Sequence, residues 1–212
     1  MVIDLETFRV KNVPPTIYYI PNFITPEEES HIIKNVYSVP KPKWTCLSNR
    51  KLQDYGGVPH EKGMIPEKIP DWLQKYINKV ADLDVFDGKT PNQVLVNEYL
   101  PKQGIMPHTD GPLFYPTITT ISCGSGTVLK FLENNEKRHT VCEVYLERFS
   151  LVVVKEELYT KYLHTIEEKD CDSLENCANS NVIPENIPLE RGTRISLTIR
   201  NVPKVCKIKL FR

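Results

Sequence analysis

Chemistry first becomes visible at His108-Thr109-Asp110. On an extended chain, side chains two residues apart point the same way. A neutral imidazole and a carboxylate therefore converge from one strand end. Two histidines and one carboxylate on one side of a metal leave positions open, the arrangement of non-haem Fe(II) oxygenases. The third ligand must come from elsewhere in the chain. His164, in LYTKYLHTI just after SLVVVK, is placed at the end of an apolar strand and is the best candidate. His31, His60 and His139 compete, but each falls in a helical or polar loop segment. HxD alone recurs by chance in many proteins. Zinc is a formal rival for any His/Asp set, although zinc sites more often use Cys or three histidines.

A second group changes the weight of the first. In RISLTIR, residues 194–200, Arg194, Ser196, Thr198 and Arg200 share one face, and Ile195, Leu197 and Ile199 share the other. The apolar face suits packing against neighbouring elements. If this strand lies beside the HTD strand in a small barrel, its arginines are buried and need anions. A dicarboxylate such as 2-oxoglutarate supplies them through bidentate, charge-assisted hydrogen bonds. In VLVNEYL, Asn97 and Tyr99 share a face, and an amide and a phenol can each donate to carboxylate or keto oxygens.

The elements that must position these groups follow from pattern. Residues 16–24, TIYYIPNFI, predict a strand interrupted by Pro21. Thr25, Pro26 and Glu28 form a helix start with a capping box, with Ile32, Ile33 and Val36 as its apolar stripe and Pro40 as its stop. Residues 41–70 are punctuated by glycine and proline and predict an ordered loop or hairpin region holding Trp44 and Tyr55. Trp72, Leu73, Tyr76, Ile77 and Val80 predict a second helix from Asp71 to about Leu83. After Thr90, VLVNEYL, TITTISCG, TVLKFLE, HTVCEVYLE, SLVVVK and RISLTIR are short strand-like runs, the pattern of an all-β sandwich or barrel. Residues 167–190, acidic and Asn-rich, predict a long surface loop. The division is thus 1–89, helices and a covering segment, packed on 90–212, a β-rich core; together they form one structural unit.

Composition bounds the partners. The 212 residues are 40% apolar and 25% charged, as in ordinary soluble proteins. Lys plus Arg and Asp plus Glu number 27 each, so no global basic field draws the chain to nucleic acid. Any such contact must be local; the tail residues Lys204, Lys207, Lys209 and Arg212 make a modest basic patch. Six cysteines without a CxxC pair read as reduced thiols. MVIDLETFRV carries two acids and no apolar run, and no stretch reaches the roughly 20 apolar residues of a membrane span. The expectation is a soluble monomer of cytoplasm and nucleus, with no membrane partner.

Taken in order, Asn97-Glu98-Tyr99, His108-Thr109-Asp110, His164 and the 194–200 strand resemble the AlkB family of Fe(II)- and 2-oxoglutarate-dependent dioxygenases. The family strand reads Arg-x-Asn-x-Thr-x-Arg; here Ser196 replaces the Asn. PKPKWTCLSNRKLQDYGG, VLVNEYLPKQGIMPHTDGPLFYPTITTISCGS and RGTRISLTIRNVP extend the resemblance to most of the chain, nearest the subgroup called AlkB homologue six. It implies an α+β, mainly β fold: a double-stranded β-helix (jelly-roll) core with N-terminal supporting helices. It implies Fe(II) on His108, Asp110 and His164. It also implies 2-oxoglutarate in a wall made by Asn97, Tyr99, Arg194, Ser196, Thr198 and Arg200, with O2 as oxidant. Arg194, helped by Tyr99, would take the far carboxylate, with Asn97 and Arg200 near the metal-bound end.

The implied activity is oxidative demethylation of alkylated DNA or RNA. A nucleotide-recognition lid would lie at Trp44, Arg50, Lys51 and Tyr55, offering stacking surfaces and phosphate contacts. Two alternatives stay open from sequence: the same oxidative chemistry on a protein or small molecule, and a non-catalytic β-barrel that serves as a binding module. Neither the modified base nor the choice of DNA, RNA or protein is written in the sequence.

Overall fold

The computed structural model describes residues 4–180 and 189–206. The basic tail residues Lys207, Lys209 and Arg212 lie outside the described residues, as do residues 181–188 of the acidic segment. The described chain runs β1 (Ile17–Ile20), α1 (Pro26–Ser38), β2 (Thr45–Leu47), β3 (Arg50–Tyr55), α2 (Asp71–Ala81), β4 (Gln93–Tyr99), β5 (Ile105–His108), β6 (Thr117–Cys123), β7 (Thr127–Glu133), β8 (Thr140–Leu146) and β9 (Leu151–Lys155). It continues through α3 (Glu156–Thr160), β10 (Tyr162–Ile166), β11 (Cys171–Asp172), β12 (Leu189–Glu190) and β13 (Arg194–Arg200).

Two antiparallel sheets make the core. The larger has seven strands in the order β1-β9-β6-β13-β4-β3-β2, and the smaller has four in the order β5-β10-β7-β8. The larger sheet carries helices on its outer side. Ile32 and Val36 of α1 and Leu73, Tyr76, Ile77 and Val80 of α2 join one apolar cluster with Val94, Val96, Ile121, Ile195, Leu197 and Ile199. Each such side chain stabilises the fold by about 1.5–3 kcal/mol on burial. Alternation along the strands leaves the inner side to Leu95, Asn97, Tyr99, Arg194, Ser196, Thr198 and Arg200, which line a cavity closed by the smaller sheet. The expected mainly-β jelly roll is the observed architecture.

Local signals hold where they are strongest. The Thr25 hydroxyl accepts from the Glu28 N–H at 3.2 Å, and the Glu28 carboxylate accepts from the Thr25 N–H at 3.0 Å, completing the capping box. Glu29, buried on the same helix, accepts both the Gly124 N–H and the Arg148 guanidinium, which fixes α1 to the turn after β6.

Three expectations are corrected and one is narrowed. First, β13 does not lie beside the HTD strand: it sits between β6 and β4 in the larger sheet, while β5 edges the smaller one, so the arginines and the candidate metal ligands face each other. Second, His164 does not end the SLVVVK strand. α3 follows β9, and His164 belongs to β10, a separate strand paired with β5 and β7. Third, of the two forms left open after Pro40, loop or hairpin, residues 45–55 take the hairpin, β2–β3, whose β3 pairs with β4 and extends the larger sheet.

Fourth, residues 167–180 are not a plain surface loop. Cys171–Asp172 pair with Leu189–Glu190. Asp172, buried, accepts two hydrogen bonds from Arg191 at 2.6 and 2.7 Å, and Leu174 and Cys177 pack on Val128. Polar composition hid this because a buried ion pair, not an apolar stripe, anchors the segment.

Candidate active site

The site begins with the β5–β10 pair. His164 stands opposite His108, and the next pair is Ile166 with Ile105, so β5 contributes one extra residue between the two contacts. Such a bulge re-aims side chains. It turns both Ile105 and His108 into the cavity despite their odd spacing. Gly104 lets the strands approach this closely: a Cβ there would meet the Ile166 carbonyl oxygen at 2.2 Å. Beyond Asp110 the chain turns at Gly111, whose φ of +84° is a conformation favouring glycine.

His108, Asp110 and His164 each offer a ligand atom, all within 4.8 Å of one another. The two rings stand 4.2 Å apart, centroid to centroid. His108 Nδ1 lies 2.8 Å from the Met106 carbonyl, so that nitrogen carries the proton and Nε2 is free to ligate. Burial pushes His164 down to about 4, with Asp110 pulling the other way. Its ring lines the cavity. At neutral pH it is the uncharged imidazole that a metal requires.

The Asp110 side chain is 7% exposed, and its Oδ1 lies 3.6 Å from Arg200 Nη1. Its Oδ2 is buried with no hydrogen-bond donor. A buried carboxylate oxygen without a partner is costly unless a cation completes it. The donor set, two imidazoles and one carboxylate, fits a ferrous ion.

Arginines face this triad from β13. Arg194 is 3% exposed, and its Nη2 donates to Ser122 Oγ at 2.9 Å. Its Nε is buried without a partner, and it forms no ion pair among the described residues. Burial pushes its pKa down and Tyr99 opposes that shift. An arginine stays charged in proteins, so this guanidinium calls for an anion. Tyr99 lies beneath it, ring centroid to Cζ 5.7 Å, and burial raises the phenol, which keeps its proton for donation. Arg200 stacks on Phe114 at 4.4 Å and leaves its own Nε unpartnered. A cavity of about 270 Å³ thus has a candidate metal-binding cluster on one wall and two under-satisfied guanidiniums on the other. The space and the charges fit a small dicarboxylate.

The predicted covering residues divide. Arg50 lines the cavity. Lys51 points to the opposite face of β3, paired with Glu98 at 2.9 Å and lying over the Trp44 ring at 4.6 Å. Tyr55 is buried among the helices, edge-on to Trp72, with its hydroxyl on Gln53 Oε1 at 2.7 Å. Trp44 packs against that same cluster. The period-2 alternation of a strand separates Arg50 from Lys51 and Tyr55; grouping the four as one covering surface overlooked it. The other histidines lie elsewhere: His31 on the exposed side of α1, and His60 and His139 on exposed turns.

Sequence reasoning missed Ser122, Thr120 and Tyr159. The first two were legible, because TITTISC alternates and places Ile118, Thr120 and Ser122 on one face; Ile118 and Thr120 line the cavity and Ser122 accepts from Arg194. Tyr159 carried no signal. It comes from the short α3, lines the cavity and donates to the Gly111 carbonyl at 3.2 Å.

Residues 16–200 match the family model described as the 2OG-Fe(II) oxygenase superfamily. The chain is 46% identical over 223 residues to the "Probable RNA/DNA demethylase ALKBH6" of Danio rerio, covering 99% of this chain and 95% of that protein. Among solved structures, "The structure of OsALKBH1" matches with a TM-score of 0.62 at 13% identity, covering 90% of this chain and 99% of that one. A Pseudomonas putida prolyl-4-hydroxylase matches with a TM-score of 0.55 at 12% identity, covering 94% and 97%. The two structural likenesses speak to the fold.

Proposed function

Because this chain belongs to the 2OG-Fe(II) oxygenase superfamily, we propose that it is an AlkB-like dioxygenase that removes alkyl groups from nucleic acid by oxidation. The observation that carries the reading is the facing arrangement of one cavity: His108, Asp110 and His164 on one wall, and the buried, acid-free Arg194 on the other. His108 through Nε2, Asp110 and His164 would hold Fe(II). Arg194, with Ser122 and Tyr99 around it, would take the far carboxylate of 2-oxoglutarate. Ser196 and Thr198 supply hydroxyls to the wall between, and Asn97 supplies amide N–H donors.

When bound, iron and 2-oxoglutarate supply the oxidation: O2 is consumed, 2-oxoglutarate gives succinate and CO2, and one oxygen atom enters a substrate C–H bond. The chain's own work is placement. Arg200 pairs with Asp110 and holds the carboxylate in line with the two imidazoles. Tyr159 pins the loop carrying Asp110 through Gly111. Leu129, Phe131, Leu146 and Val152 make the rest of the cavity apolar, which limits water near the reacting atoms. On an N-methyl group, the hydroxylated product separates into amine and formaldehyde. The name of the zebrafish relative supports nucleic acid as the substrate.

The test offers Fe(II), 2-oxoglutarate and O2 with methylated single- and double-stranded DNA, methylated RNA and methylated peptides, while succinate and formaldehyde are measured. An oligonucleotide should stimulate both in equal amounts, and Asp110→Ala should give neither. Stimulation by peptides alone would move the substrate to protein, and wild-type turnover in Asp110→Ala would remove the metal assignment.

A further inference from the structure

Arg50 stands apart from the residues given to iron and 2-oxoglutarate, yet it enters the same cavity. Its place is set by register. Leu52 of β3 opposes Asn97 of β4. Arg50, two residues away on the same face, reaches back along the diagonal, and its Nε donates to Asn97 Oδ1 at 3.2 Å. Its other contact is a long one, Nη1 to Asn49 Oδ1 at 3.5 Å, and it forms no ion pair among the described residues.

An arginine has five N–H donors and no acceptor. The Asn97 amide must therefore present oxygen to Arg50, whichever of its two orientations it would otherwise choose. Its Nδ2 is left to the cavity side and donates to no described residue. Asn97 is 4% exposed, on a wall that faces the metal cluster. Turned the other way, the amide would aim an oxygen at an incoming carboxylate and repel it.

We propose that Arg50 is a positioning residue for the co-substrate, locking the Asn97 amide so that its N–H donors face 2-oxoglutarate. The inference rests on the 2-oxoglutarate reading above. It makes the β2–β3 hairpin, through Arg50, part of the co-substrate wall. Any shift of the hairpin that breaks the Arg50–Asn97 contact releases the amide and weakens 2-oxoglutarate binding.

The test is anaerobic calorimetric titration of 2-oxoglutarate into Mn(II)-loaded protein, with wild type, Arg50→Met, Arg50→Lys, Asn97→Ala and the Arg50→Met/Asn97→Ala double variant. Arg50→Met keeps most of the apolar stem and removes the donors. It should weaken 2-oxoglutarate about five- to tenfold, the scale of losing one oriented hydrogen bond. Arg50→Lys, also donor-only, should recover much of the loss. If Arg50 acts through Asn97, the double variant binds no more weakly than Asn97→Ala alone. Melting temperatures of the Mn(II) forms without 2-oxoglutarate should stay alike, separating amide locking from general loosening. Unchanged affinity in Arg50→Met, or additive losses in the double variant, overturns the proposal. So does an Arg50→Met protein that loses only oligonucleotide binding, which would make Arg50 a substrate contact. If wild type itself failed to bind 2-oxoglutarate, the proposed function would fall first.

Discussion

Arg194→Met separates an anion site from a structural arginine. The native guanidinium is buried at 3% exposure, keeps one hydrogen bond to Ser122 and leaves Nε unpartnered. With no carboxylate bound, it is a desolvated charge that forms no ion pair among the described residues, which is a poor source of stability. Methionine matches the apolar stem and carries no charge. The apo variant should therefore melt at or above the wild-type temperature, an unusual outcome for a fully buried position. Binding should move the other way. Two charge-assisted hydrogen bonds to a carboxylate are worth about 1.5–3 kcal/mol each, so losing both should weaken 2-oxoglutarate by at least ~3 kcal/mol, or more than about 100-fold. At a ligand concentration 100 times Kd, wild type gains about 2.7 kcal/mol of stability. For a chain of this size that is a rise of roughly 5–11 °C in Tm. The assay is thermal melting of Mn(II)-loaded and metal-free protein with and without 2-oxoglutarate. A variant that melts several degrees lower than wild type without ligand, yet keeps the ligand-induced rise, would refute the argument.

Three further outcomes follow from the packing. Tyr55→Phe removes a buried hydrogen bond to Gln53 and should cost about 1–2 kcal/mol by chemical denaturation; because the ring faces the helices, oligonucleotide affinity should not change. Asp172→Ala strands Arg191 in a buried setting and should destabilise by about 3–5 kcal/mol, whereas a neutral result would mean that residues 167–180 do not support the fold. Burial alone raises the Glu28 carboxyl, but Lys75, the Thr25 N–H and Lys79 outweigh it and hold the group at about 2. A carboxyl lowered on folding stabilises the protein above its ordinary 4.5 and loses that contribution as pH falls toward 2. Glu28→Gln should thus be less stable than wild type by roughly 1–2 kcal/mol at pH 7, with the gap closing between pH 4.5 and 2; a gap that persists at pH 2 would point to cap geometry in place of charge.

The sequence by itself determined what depends on near neighbours. The capping box at Thr25 and Glu28, the apolar stripe of α2 and the two-faced strand at 194–200 are settled within a few residues by hydrogen-bond geometry and period. The candidate metal-binding triad, which the fold does bring together, was legible for a related reason: His108 and Asp110 belong to one short segment, and few histidines compete for the third place. Tertiary structure alone decided how distant segments meet. No local pattern announces that β5 bulges to bring His108 opposite His164, that β13 faces that pair from the other sheet, or that α3 delivers Tyr159. Nor does one announce that Asp172 and Arg191 bury each other. Parity shows the limit most sharply. Arg50 and Lys51 are adjacent and chemically alike. Joined to β4 in one register, β3 sends the first into the cavity and the second to Glu98 on the helical side; a slip of one residue would exchange them. That register is fixed by pairing with a strand more than 40 residues away, because its free energy lies in non-local contacts that a linear reading does not contain.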